Sequence, residues 1–119
     1  MRYVHHEVIV EVVQGDIAAQ PDLEAVVNAA NARLAPGGGV AGAIHRAAGP
    51  ELYQACIPLA PIETGQAVTT PGYNLPNKYV IHALGPVYAF EEDPAEKLAR
   101  TYRSVFEEAE RLGIASLGM

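Results

Sequence analysis

The sequence predicts an α/β layered domain, and three observations predict it. Short β-branched runs alternate with stretches of helical periodicity. Gly37, Gly38 and Gly39 stand together between one apolar run and the next helical pattern. A late segment carries both the start and the stop signal of a helix.

The elements follow in order. Val8 to Val13 is mostly β-branched, is interrupted by Glu11, and ends at Gly15-Asp16; it reads as a strand. Ala25 to Asn28 reads as a second short strand. The nearly continuous apolar character of both predicts a sheet covered on two faces. Val40, Ala43, Ile44, Ala47 and Ala48 recur at helical spacing, and Gly49 can close that helix. Pro50 opens the next helix, which runs through Cys56. Gln66 to Thr70 and Tyr79 to Leu84 read as strands joined by a Gly/Asn/Pro turn. In the late helix Asp93 is placed as N-cap, Pro94 at the first position and Glu96 at the third, a capping-box arrangement. Leu98, Tyr102, Val105, Phe106, Ala109 and Leu112 form its apolar face, and Gly113 stops it. Ile114 to Leu117 then begins another strand.

Composition bounds the function. At 119 residues, half of them hydrophobic, the chain reads as one globular domain over residues 1–119. Its net charge of −6 argues against general nucleic-acid binding, which needs a basic face. It argues equally against an anionic membrane surface. No run approaches the about 18 apolar residues of a membrane span, and no signal peptide is visible. Cys56 is the single cysteine, so neither an intrachain disulfide nor a cysteine-based zinc site is available. The expected location is cytoplasmic, with no metal and no cofactor.

The chemistry concentrates between Val26 and Arg46. A short strand, Asn28 and Asn31, a glycine run and a small-residue helix make a recess that backbone amides can line. The helix start adds unpaired N–H donors and a partial positive charge. That combination suits an anion, most often a phosphate. The glycine run matches neither the P-loop nor the dinucleotide fingerprint. No Ser-His-Asp order is visible.

Four blocks carry a family resemblance: Val13-Gln14-Gly15-Asp16-Ile17; Val26 to Asn31; Gly37-Gly38-Gly39-Val40-Ala41-Gly42-Ala43-Ile44; and Tyr79 to Pro86. In this order and spacing the chain resembles a macrodomain, the ADP-ribose-binding module. The resemblance covers essentially the whole chain but only the N-terminal two-thirds of the module. It implies a three-layer α/β/α sandwich with a central mixed sheet, lacking the final strands, the last helix and a second glycine-rich loop. It implies that Asp16 accepts a hydrogen bond from the adenine amino group, while the Ile17 amide donates to the ring. A carboxylate has only acceptors to offer and so selects an exocyclic NH2. Read alone, Gly15-Asp16 is an ordinary turn after a strand. Asn31 inherits contact with the distal ribose and is the one catalytic candidate. Ala29 lets the ligand approach the backbone. Gly37, Gly38, Gly39, Val40 and Ala41 belong to the diphosphate loop. Ala41 is a departure, because many hydrolytic members place aspartate there and alanine cannot activate a water.

The remaining polar residues read as structural. Asn28 ties strand to loop through backbone hydrogen bonds. His82 is packed or backbone-bonded. His45 and Arg46 lie on a solvated helix face, and His5-His6 is a surface pair. Glu107, Glu108 and Glu110 form an acidic helix face, with Arg111 paired to Glu107. The resemblance therefore implies binding of ADP-ribose, free or protein-attached. Hydrolysis, if present, would act on mono-ADP-ribosyl or O-acetyl-ADP-ribose esters. A non-catalytic reader and a truncated inactive fragment stay open as alternatives. The strand from Ile114 is expected to lack neighbours, and the first strand to be bare, which predicts a strand-exchanged oligomer or a complementing segment.

Overall fold

The computed structural model describes residues 2–5, 8–11, 17–86 and 92–119, the first two stretches by their backbone alone. Its strands are β1 (Arg2–His5), β2 (Val8–Glu11), β3 (Ala25–Ala29), β4 (Ala67–Pro71), β5 (Tyr79–Ala83) and β6 (Ser116–Gly118). Its helices are α1 (Gly39–Ala48), α2 (Pro50–Cys56), continued by a 3-10 turn over Ile57–Leu59, and α3 (Pro94–Leu112). The strands form one sheet in the order β1-β2-β6-β3-β5-β4. The inner four, β2, β6, β3 and β5, run parallel. The outer two, β1 and β4, pair antiparallel at the edges.

Side-chain alternation sends the central strands into two cores. Val26 and Val80 join Ile44 and Ala48 of α1, Leu52 and Cys56 of α2, and Leu34, Ile62 and Leu75 on one face. Ala25, Ile81 and Ala83 meet Val105 and Ala109 of α3, with Ile114 and Leu117, on the other. Helices thus cover both faces of a mixed sheet, giving the expected three layers. The carboxyl ends of β3 and β5 come together, and the loops leaving them lie side by side: Ala30 N–H donates to Ala83 O across the gap at 2.9 Å.

Several expectations are corrected. The buried stripe of α1 is Ala41, Ile44, His45 and Ala48, while Val40 and Ala47 are exposed. A helix so rich in alanine offers little contrast between its faces, and His45 replaces Ala47 on the inner one. His45, 6% exposed, is therefore not on a solvated face; Arg46 is. Asp93 occupies the N-cap position of α3 but adopts φ 48°, ψ 55° and makes no side-chain cap bond. On α3, Thr101 is buried and Tyr102 exposed; Thr101 Oγ1 returns its proton to Lys97 O at 2.8 Å, which satisfies it internally. Arg111 pairs with Glu108 at 2.7 Å, not with Glu107, using the shorter three-residue spacing.

β1 was not foreseen. The final strand starts at Ser116 and lies inside the sheet, parallel to both β2 and β3, so its neighbours are present. β2, the described part of the strand expected at Val8 to Val13, is flanked on both sides, which removes the bare edge expected there. Val12, Val13 and Gly15-Asp16 lie outside the described residues.

Candidate functional site

In open α/β sheets the loops at the carboxyl ends of parallel strands are where ligands meet the fold. Here β3 delivers Ala29, exposed at its last position, and then the segment Ala30 to Gly38. That segment is organised by Asn31. Its Oδ1 accepts from Arg33 N at 3.1 Å and from Ala35 N at 3.0 Å, and its Nδ2 donates to Ala35 O at 3.0 Å. Leu34, held at φ 57° and fully buried, plugs the loop into the core. Both lone pairs of Asn31 Oδ1 are thereby spent, and one Nδ2 proton remains to offer. Nδ2 lies 3.9 Å from where a Cβ on Gly37 would stand, so that proton is beside the glycine run.

Gly37, Gly38 and Gly39 are exposed, as is Val40 at 42%. Gly38 is the N-cap of α1 and offers no side chain to cap it. Gly39 takes φ 58°, a conformation that L side chains rarely adopt. The first intrahelical donor to find a partner is Gly42 N, on Gly38 O at 3.2 Å. The amides of Gly39, Val40 and Ala41 consequently have no partner within the helix. Ala41 itself is 7% exposed, its methyl turned inward. Arg46 folds back so that its Nη1 lies 3.0 Å from the Cβ position of Gly42. A helix start, an exposed run of amides and a guanidinium therefore gather in one place. They supply local positive potential on a chain of net charge −6.

Ile17 is half-buried against the first core and lies 3.4 Å from the Cβ position of Gly118, at the carboxyl end of β6. The sequence-derived candidates Ile17, Ala29, Asn31 and Gly37 to Ala41 thus lie on segments at the carboxyl edge of the sheet. Asp16 lies outside the described residues.

Beneath this surface is a buried polar cluster. Asn28 and His82 are register partners on β3 and β5. Asn28 Nδ2 lies 3.0 Å from His82 Nδ1, and Thr70 Oγ1 of β4 lies 2.9 Å from His82 Nε2. With the amide donating to Nδ1, the ring proton sits on Nε2 and is given to Thr70. Asn28 is therefore structural, but through a side-chain bond and not through the backbone bonds expected of it. His82 is packed as expected, with side chains as its partners. The Cys56 thiol, 3.7 Å from Nε2, is pushed up to about 11 by burial. The His45 ring lies 6.4 Å from that of His82, tilted 43° against it, and edge-on to Tyr53 at 6.2 Å, and neither of its nitrogens has a partner. Burial pushes both imidazoles down, His82 to about 4, with the neighbouring His45 adding to the effect. Neutral histidines suit a structural anchor that ties three strands and α1 together, and place the cluster beneath the site.

Sequence reasoning missed Leu34 and Thr70. Thr70 had a legible signal: two positions beyond Val68 on one strand, it faces the same core as the His82 side chain. Thr70→Val deletes the hydroxyl that takes the His82 proton and leaves a buried donor unsatisfied. A loss of about 1.5 kcal/mol in urea unfolding, with unchanged m, is the expected result.

The Macro domain family matches residues 27–119. The macrodomain of Oceanobacillus iheyensis, solved with ADP, superposes with a TM-score of 0.87 at 37% identity, covering 98% of this chain and 65% of that one. The O-acetyl-ADP-ribose deacetylase of Salmonella gallinarum is 52% identical over 99 residues, which is 79% of this chain and 55% of that protein. The ADP-ribose glycohydrolase MACROD2 of Xenopus laevis is 52% identical over 93 residues, 76% of this chain and 22% of that protein. The chain spans about half the length of the curated relatives it matches. With a matching family over most of its residues and a matching fold, the chain belongs to the Macro domain family.

Proposed function

We propose that the chain binds ADP-ribose, free or attached to protein, in the recess at the carboxyl edge of its sheet. The single observation that carries the reading is the open first turn of α1, with the unpartnered amides of Gly39, Val40 and Ala41, led into by Gly37 beside the free Nδ2 proton of Asn31. Two diphosphate charges need several aligned N–H donors and a local positive potential, and this turn with Arg46 supplies both. Asp16 accepts from the adenine amino group, with the Ile17 amide on the ring. Ala29 leaves the backbone approachable, and Asn31 gives its remaining proton to the distal ribose. The structural neighbour solved with ADP supports a diphosphate in this recess. No helix among the described residues is long and apolar enough to cross a membrane. A cytoplasmic setting suits the single buried free thiol.

A second reading is hydrolysis at the distal ribose, favoured by the names of the Salmonella and Xenopus relatives. Asn31 and the loop amides would then fix the geometry of the scissile ester, with the ligand's own diphosphate sharing the work of orienting a water. Ala41 brings no carboxylate to that water, so turnover is expected to be slow, and a reader without catalysis is its limiting case.

Calorimetric titration tests the first reading. ADP-ribose is expected to bind more tightly than ADP. Asp16→Ala should weaken both by roughly tenfold, the effect of losing a hydrogen bond to a charged acceptor. Unchanged affinity in Asp16→Ala would remove the adenine assignment. Release of ADP-ribose from a mono-ADP-ribosylated glutamyl peptide, lost in Asn31→Ala, separates the hydrolase from the reader.

A further inference from the structure

We infer that a hollow beside Asn31 seats the modified protein, taking an acidic, partly apolar peptide segment next to the ADP-ribosylated side chain. The inference rests on the ADP-ribose reading above and extends it to the partner. The hollow has a volume of about 410 Å3 and is walled by Ala32, Arg33, Tyr53, Ile57, Ala60 and Pro61. That size is within the range of ligand pockets.

Its position follows from the loop. Ala32 and Arg33 come immediately after Asn31, and the Arg33 amide is held by Asn31 Oδ1. Ile62 N–H donates to Ala32 O at 2.8 Å, fixing the opposite wall to the same segment. A ligand atom on Asn31 and a chain in the hollow would therefore share one rigid support. A group leaving the distal ribose beside Asn31 has this hollow next to it.

Its chemistry selects the occupant. Tyr53 is 36% exposed and Ile57 53%, so the floor is open hydrocarbon. Arg33 is exposed at the rim and forms no ion pair among the described residues, whereas Arg103 and Arg111 are each held by a carboxylate. On a chain of net charge −6, an acidic peptide is repelled by the surface at large. An unengaged guanidinium over an apolar floor reverses that locally and sets the register of approach. A second nucleotide fits less well. Apart from Arg33 and the Tyr53 hydroxyl, the lining side chains are hydrocarbon and leave the polar edge of a base unmatched.

The test uses the full 119-residue chain and three probes: free ADP-ribose, a peptide carrying ADP-ribose through a non-hydrolysable link with Glu and Leu flanks, and the same peptide with Lys flanks. Anisotropy is expected to show the acidic peptide binding about fivefold tighter than the basic one. Arg33→Glu should invert that preference and leave free ADP-ribose within about twofold. Ile57→Ser, at an exposed position, should weaken both peptides but not free ADP-ribose. Equal binding of the two peptides by the wild type, or a preference unchanged in Arg33→Glu, overturns the inference while the ADP-ribose reading stands. Parallel loss of free ADP-ribose assigns Arg33 to the nucleotide site and also overturns it. So does an ADP-ribose dimer that outcompetes the acidic peptide in an Arg33-dependent way. A wild type that binds no ADP-ribose at all overturns the ligand assignment first and the inference with it.

Discussion

Gly42→Ala is expected to weaken ADP-ribose binding about a hundredfold while leaving the chain folded. The sign is not obvious from propensity. In an ordinary helix interior the change from glycine to alanine gains about 1 kcal/mol. Here the new Cβ would land on the carbonyl oxygen of Gly37. That oxygen belongs to the backbone and cannot rotate away, so the overlap costs about 1–3 kcal/mol. What yields is decided by the surroundings. Gly38 and Gly39 have nothing within 4 Å of their Cβ positions, whereas α1 is pinned by Ile44, His45 and Ala48 in the core. The loop and the first turn it leads into therefore move, while the body of the helix, held by Ile44, His45 and Ala48, stays. A shift of about 1 Å takes several amides out of line with the diphosphate together, which is worth about two orders of magnitude, or about 2.7 kcal/mol. Calorimetry measures the affinity, and circular dichroism reports whether helicity is kept. Wild-type affinity in Gly42→Ala would mean that the amides of this turn do not hold the ligand.

The sequence made the parts of this site legible and left its interior dark, for physical reasons. Glycine at Gly37 to Gly39 and proline at Pro50 and Pro94 act through the backbone, so their positions alone place helix starts. The elements containing them appear within a residue of where they were expected. α1 is legible in the sequence, but its buried face is not. Val40, Ala43 and Ala47 satisfy helical spacing as well as Ala41 and His45 do, and only contact with β5 and α2 distinguishes them. The same limit hid the His45–His82–Thr70 association, which joins residues up to 37 positions apart in sequence through the packing of α1 against β5 and the pairing of β4 with β5. Asn31 shows the limit most clearly. Its place in Asn-Ala-Ala-Asn pointed to a ligand, yet three of its hydrogen bonds hold its own loop. Side-chain bonds between i and i+2 or i+4 are available to any asparagine in a turn, and the loop's closure around Leu34 decides that they form. Leu34 in turn sits at a positive φ, which no pattern of apolar residues announces.

Acidification from pH 7 to pH 4.5 is expected to remove about 3 kcal/mol of stability, most of it through His82. In the folded chain the His82 imidazole titrates near 4, against an ordinary value of 6.5. Between those values the unfolded chain binds a proton that the folded chain refuses, so stability rises with pH across the window and is complete above 6.5. The gap corresponds to about 3 kcal/mol. The geometry explains the refusal. Nδ1 faces Asn28 Nδ2 and Nε2 faces Thr70 Oγ1, so a second ring proton would point at a donor. Turning the Asn28 amide would cure that conflict only by leaving its NH2 without the ring acceptor. The other groups packed around the ring offer no charge in compensation. Cys56 from α2 stays a neutral thiol, and His45 from α1 is itself a base pushed down by burial. No carboxylate pairs with either imidazole among the described residues. Protonating one ring raises the cost of protonating the other, which sharpens the loss at the acid end. Urea unfolding at pH 7, 6, 5 and 4.5 measures the slope, and His82→Gln separates it from the carboxylates. The variant should be less stable at neutral pH but markedly flatter between pH 6.5 and 4.5. A wild-type profile that is flat over that range, or a His82→Gln profile just as steep, would show that His82 is not what limits the fold in acid.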